Sequence, residues 1–397
     1  MKKRVFAWRD CLASSVSMDK TPRILSTMKT RTLLLPALGL FLLPAVASAE
    51  LYCVSTAAQL ASAIESADAS ASASEIRVRT GSYTFAAAPM QGSYRPHSLR
   101  IDGTSDLLLT GGWTGASCDT RSTLNPEQTV LSTGGAGKLM FIEFPAFPTV
   151  STHTVEISGI SFRNSTSADL EAACLHVENP IVSGSDRGTL YLDRNSFRLC
   201  TNTLDTSTAI AALEIDASNL NIYVRNNVFA DNAGKGSLFR ALARIQATFY
   251  ISNNTLAFNP VLPGGADFDG LSIAGASTNN GSFFWVTNNL VWNTGDADSS
   301  DFQFTTFETL AVVSSNLFGR FSPGGANVSF SNNLTSDPRF ISSNDLRLRV
   351  DSPARNSGGS AVGGSLDFDL FGTPRVQGGR IDRGAHEYDE MFANGFE

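Results

Sequence analysis

Apolar residues recur at fixed offsets from a column of asparagines along most of this chain. The clearest copy is Ile222–Phe229, reading I-Y-V-R-N-N-V-F. Equivalent copies anchor on Ile160, Asn195, Asn227, Asn254, Asn289, Asn316 and Asn333, at gaps of 35, 32, 27, 35, 27 and 17 residues. The positions five and three before every anchor are apolar, as in Ile222 and Val224 before Asn227 or Phe249 and Ile251 before Asn254. The positions between them are mostly not. Alternation of period two predicts a strand with one buried face. One such strand cannot bury itself, so the copies must stack in register. A repeat of about 27–35 residues with variable loops suits one coil of a parallel β-helix. No apolar pattern of helical period lies between the anchors, which excludes repeats that carry a helix each. The fold class is therefore all-β.

At the coil corner, Asn195, Asn227, Asn254, Asn289, Asn316 and Asn333 are expected to point inward and bond one another as a ladder. Asn253, one position earlier, is expected on the outer side of its corner and cheap to replace. Before the repeat, Thr56–Ala67 reads as a short helix with Thr56 as its N-cap and Leu60 and Ile64 on its apolar face. Such a helix would cap the first open end of the coils, where bare strand edges invite association. Ile76–Phe85 follows as a strand interrupted by a turn at Gly81.

The pattern V-x-I-x-N-N-x-F resembles right-handed parallel β-helix proteins of the pectin-lyase-like superfamily over roughly residues 50–390. The C-terminal third resembles the bacterial secreted group called choice-of-anchor Q domain proteins. The matching pieces are Asp337-Pro338-Arg339-Phe340, Leu346-Arg347-Leu348, Asp351-Ser352-Pro353-Ala354, Gly372-Thr373-Pro374-Arg375 and Ile381–Glu387. That group has an acidic residue where this chain has Asn356. The resemblance implies a right-handed solenoid with an irregular C-terminal closing segment. The expected organisation is a leader over 1–49, a cap and first coils over 50–149, and coils over 150–343. A closing segment over 344–390 and a tail over 391–397 complete it.

Lys29 and Arg31, the apolar run Leu33–Val46 and Ala47-Ser48-Ala49 read as a secretory signal peptide, so export to the medium or cell surface of a bacterium is expected. The apolar run is short for a membrane span, and no second run follows. Beyond Ala49 the chain carries 22 basic and 35 acidic residues, a net charge of −13. Such a surface repels nucleic acid and anionic membranes, and a monomer is expected. The tail Met391–Glu397 resembles short sorting or anchoring tails of secreted bacterial proteins. After the leader, Cys53, Cys118, Cys174 and Cys200 remain, an even number that fits an oxidising compartment. Stacking by about one coil would bring Cys174 near Cys200 and leave Cys53 with Cys118, but four cysteines allow three pairings.

Candidate chemistry is sparse. The catalytic patterns of polygalacturonases and pectate lyases are absent, and no cysteine or histidine spacing marks a metal site. Alternation places His176, Glu214, Arg240 or Arg244, and Ser272 outward on neighbouring coils, where a carboxylate beside an arginine offers an acid/base site or a plain ion pair. Four positions before the anchors stand Tyr191, Tyr223, Tyr250 and Trp285, an outward aromatic row suited to sugar faces or to cross-strand stacking. Asp193 and Arg225 fall beside it and are expected to pair. Two acidic loops, Gly265–Gly270 and Gly295–Asp301, offer oxygen ligands for Ca²⁺; no other cofactor is implied. The leading expectation is a secreted, non-enzymatic β-helix that binds carbohydrate or a cell-surface component. The alternative is a polysaccharide lyase or glycoside hydrolase acting through Glu214.

Overall fold

The computed structural model describes residues 49–91, 96–144, 153–179, 188–262, 269–275, 281–293, 300–306, 309–322, 327–360, 362–377 and 379–388. The leader up to residue 48, the tail at 391–397 and the bulk of the two acidic loops (263–268 and 294–299) lie outside them. The Ca²⁺ reading therefore falls on undescribed residues.

Each coil contributes one strand to each of three parallel sheets. In one coil these are Gly188–Asp193 in the first sheet, Ser196–Asn202 in the second and Ile210–Ser218 in the third. The next coil repeats them as Leu220–Arg225, Val228–Ala230 and Ser237–Ile245. Across the first sheet, Leu190 pairs with Ile222, Ile222 with Phe249 and Phe249 with Phe284. This is the register that the apolar columns predict, and the protein is a parallel β-helix. Three further strands extend the first sheet ahead of the first anchored coil, Glu50–Val54, Ser74–Arg79 and Leu107–Thr114, with Leu107 opposite Val155.

Inward residues close the core in columns. Phe162, Phe197 and Phe229 stack face to face at centroid distances of 4.9 and 4.6 Å, and all three are fully buried. At the corner after each first-sheet strand, the residue just before the anchor adopts the left-handed conformation. Gly159 (φ 72°), Asn226 (57°), Asn253 (56°) and Asn288 (58°) are examples. Asparagine tolerates this geometry better than most side chains, which accounts for the paired asparagines of the sequence.

The N-terminal end is covered by the helix Ala57–Ala69, whose Thr56 side chain accepts from the Gln59 amide at 3.2 Å. Leu60, Ala63, Ile64 and Ala67 face the core. A disulfide joins Cys53 to Cys118 and another joins Cys174 to Cys200, with Cα separations of 5.5 and 5.7 Å. Closing loops of 65 and 26 residues, the two bonds stabilise the fold by roughly 3–4 kcal/mol each on a chain-entropy argument.

The irregular C-terminal segment lies along the side of the solenoid. Phe340, Leu346, Leu348, Ala354, Leu370 and Ala385 pack on Val228, Ala230, Ala257, Leu290 and Leu317, the outward residues of the second sheet. Its backbone also ties successive corners. Asn226 Nδ2 donates to the Phe368 carbonyl (2.8 Å). Asn288 exchanges two bonds with Gly359 (2.9 and 2.8 Å). Arg383 donates to the Asn316 carbonyl (2.6 Å). Along Val228–Ala230, Thr255–Ala257 and Leu317–Phe318 the second sheet is thus buried on both faces, which explains the small and apolar residues on what is formally its outer side there.

Asn253 corrects the expectation made for it. It is buried, left-handed and donates to the Asp382 carbonyl at 3.3 Å, because the C-terminal segment covers that corner.

Candidate functional site

The outer face of the third sheet carries the residues proposed for chemistry. In Leu175–Glu178 and Ile210–Ser218, Leu175, Val177, Leu213 and Ile215 turn inward, so alternation leaves His176 and Glu214 outward. Register then aligns His176 with Glu214, Glu214 with Arg240, and Arg240 with Ser272. Arg240 donates to Glu214 Oε1, and His176 Nδ1 stands 3.9 Å from Glu214 Oε2. Arg244 belongs to a different column. It pairs through Nε and Nη2 with the two Asp216 oxygens, its Nε at 2.5 Å from Oδ1. Beside this lies a row of acids in register, Asp102, Glu143, Glu178 and Asp216. Burial, reinforced by the charges of Asp216 and Glu143, pushes the Glu178 carboxyl up, although His176 opposes the shift.

Sequence reasoning missed the groups below His176. His97, on the segment leading into the strand Leu99–Asp102, stacks on Phe141 at 5.6 Å, and Phe141 meets His176 edge-on at 5.2 Å. Glu171, on the turn before Leu175, places Oε2 3.8 Å from His97 Nδ1 and 3.7 Å from His176 Nδ1. Lys138, almost wholly buried, donates to Glu171 Oε2 at 2.5 Å and to Asp169 at 2.8 Å. Burial and the nearby Lys138 charge pull the His97 imidazole down to about 3, so it is neutral at ordinary pH. Although burial opposes it, Lys138 and His176 hold the Glu171 carboxyl down at about 2. His176 is raised, because Glu171 and Glu214 outweigh the effect of its burial. Residues 79 apart in sequence meet here, and no motif announces them.

On the first sheet the aromatic row is continuous. Tyr191, Tyr223 and Tyr250 stack at 4.7 and 4.6 Å with interplanar angles of 18° and 10°. Their faces are turned on one another, so the stack offers edges outward. Arg225 pairs with Asp193 through two bonds of 2.9 and 2.6 Å and lies over Tyr191 and Tyr223. At Tyr250 the C-terminal segment comes close. A Cβ at Gly363, which is left-handed (φ 86°), would fall 2.5 Å from Tyr250 Cδ1. One coil on, Trp285 sits opposite Tyr250 and packs on Phe283 at 4.8 Å, tilted by 33°. Leu310, opposite Phe283, is 51% exposed.

The asparagine ladder is present at the first corner. Asn227 Nδ2 donates to Asn254 Oδ1 (2.9 Å), Asn254 to Asn289 (2.9 Å), Asn289 to Asn316 (3.0 Å) and Asn316 to Asn333 (3.1 Å). At the lower end, the Asn195 amide donates to Asn227 Oδ1 (2.8 Å) and the Ile160 amide to Asn195 Oδ1 (3.1 Å). A second ladder runs at the next corner, from Asn232 to Asn259 (3.0 Å) to Asn293 (3.0 Å), and ends where Asp301 Oδ1 accepts from the Asn293 amide (2.8 Å). Its signal was the asparagine five residues after Asn227 and after Asn254.

Asn356 also finds its reason. With its amide oriented to suit its neighbours, Nδ2 donates to the carbonyls of Gln377 (2.6 Å) and Arg380 (3.0 Å). A carboxylate there would face two acceptors. No protein-family model matches the chain, and neither does any curated protein.

Proposed function

We propose that this is a secreted, non-enzymatic β-helix that holds carbohydrate or a cell-surface glycan against its first sheet. The observation that carries the reading is the change in the aromatic row at Trp285. Below it the rings cover one another; at Trp285 and Phe283 two half-buried rings tilt apart beside exposed Leu310. Flat apolar area with a polar margin is what a sugar face packs on. The disulfides support export to an oxidising compartment. The resemblance to pectin-lyase-like and choice-of-anchor Q proteins supports the same setting.

The arrangement around Glu214 speaks against hydrolysis or elimination. Its side chain is 5% exposed and one oxygen is bonded to Arg240. A general base must reach the proton it takes.

Affinity electrophoresis against a panel of plant and bacterial polysaccharides tests the proposal. At least one should retard the protein, and Trp285→Ala should weaken that retention roughly tenfold, about 1.4 kcal/mol. New reducing ends or unsaturated products that disappear in Glu214→Ala would replace this reading with a lyase or hydrolase. Retention unchanged in Trp285→Ala would remove the first sheet from consideration.

A further inference from the structure

We propose that His97, His176 and Glu171, with Glu214 at their edge, form a binding site for one divalent transition-metal ion of the zinc type. The three donor atoms, one from each of the first three residues, lie within 4.8 Å of one another. The Glu171 oxygen is 3.8 and 3.7 Å from the two imidazole nitrogens, and Glu214 Oε2 is 3.9 Å from His176 Nδ1. Ligands at about 2.0–2.1 Å in a tetrahedron stand about 3.3–3.4 Å apart. These three edges need to contract by about 0.3–0.6 Å, and the two imidazoles, whose donor atoms lie within 4.8 Å of one another, must close by up to about 1.5 Å. Two imidazoles with carboxylates suit zinc and its neighbours; calcium and magnesium prefer all-oxygen shells.

The second observation is independent of proximity. His97 is buried, its side chain only 2% exposed, and neither ring nitrogen completes a hydrogen bond. The nearby Ala172 backbone favours the protonated ring without reaching bonding geometry. His176 Nδ1 and Glu214 Oε2 are likewise buried without a hydrogen-bond partner. Buried polar groups are almost always satisfied, because leaving one without a partner forfeits its solvation. Three of these four orphaned atoms, His97 Nδ1, His176 Nδ1 and Glu214 Oε2, stand in one cluster of ligand types and are explained together by an ion.

Lys138 is the obvious competitor, since it already donates to Glu171. It also holds Asp169 at 2.8 Å, which retains the ammonium when the ion takes Glu171. The ion would join residues from separate coils. His97 precedes Leu99–Asp102, His176 lies in Leu175–Glu178 and Glu214 in Ile210–Ser218. The site is a staple across the third sheet, distinct from the aromatic end of the first.

Calorimetric titration of the chelator-treated, dialysed protein with Zn²⁺ tests it, with metal content and melting temperature read on the same samples. One ion per chain is expected, together with a rise in melting temperature. His97→Ala and His176→Ala should each weaken binding at least a hundredfold, while His153→Ala, at the entry to the first-sheet strand Thr154–Ser158, should leave it unchanged. Glu171→Gln and Glu214→Gln keep side-chain size. They should weaken binding about tenfold even if the alanine variants fail to fold. Failure of folded wild-type protein to bind Zn²⁺ would overturn the proposal. So would affinity that survives in folded His97→Ala and His176→Ala, or in both glutamine variants.

Discussion

The paired asparagines divide labour between two adjacent positions. The anchor points inward, bonding its neighbours above and below, and the residue before it supplies a left-handed turn. Asn254→Leu removes the acceptor for the Asn227 amide and side chain and the donor for the Val224 carbonyl. Orphaned buried groups cost about 1–3 kcal/mol each, so a loss of about 3 kcal/mol or more is expected. Asn253→Ser should cost about 1–2 kcal/mol, because serine is worse in the left-handed region and the bond to Asp382 is lost. Denaturant melts of the two variants measure the difference. Equal small losses would mean that the column is only a row of turn formers. The anchors were legible because apolar residues flank them at constant offsets. The burial of Asn253 was not, because what covers it is more than a hundred residues away and follows no repeat.

The element that behaves most unlike its sequence is the C-terminal segment. Its Gly, Pro, Arg and Asp content marks the end of the period, but gives no sign of where the chain runs. The answer lies in pairings such as Arg375 with Asn226 and Arg383 with the Asn316 carbonyl. Two buried groups in it oppose one another in pH. Burial pulls His386 down to about 4 from 6.5, so stability from its neutral ring is complete above pH 6.5 and is lost as pH falls toward 4. Burial, with Asp382 adding to it, pushes Glu387 up to about 8 from 4.5. Its folded state therefore gains a proton, and stability falls as pH rises from about 4.5 to about 8. Between about pH 4.5 and 6.5 the two slopes cancel. Amide protection of the segment 368–388, taken relative to the intrinsic exchange rate at each pH, should therefore be greatest and nearly constant in that window and fall on either side. In Glu387→Gln the alkaline loss of protection should vanish; if it persists, this carboxyl is not its source.

At the scale of the whole molecule, the register of the anchored coils follows from short-range pattern, but the outer faces do not. His97 and His176 meet only because Met140–Glu143 lies between their strands in the third sheet. Along Val228–Ala230, Thr255–Ala257 and Leu317–Phe318 the second sheet is buried on both sides by residues that follow the last coil. A chain ending at Asp337 should therefore keep its parallel strands yet expose Val228, Ala230, Leu290 and Leu317 as one apolar patch, which favours association. Light scattering and circular dichroism of that truncation should show larger particles with strand signal retained; a monodisperse monomer would contradict the account. The same arrangement has a consequence in time. A chain delivered from its N-terminus can complete each coil as it arrives, since every coil needs only the one before it. The bare face waits until the final residues have emerged. The interval between the last coil and the last residue is therefore when copies of this protein are most exposed to one another, and the speed of its delivery matters most at its end.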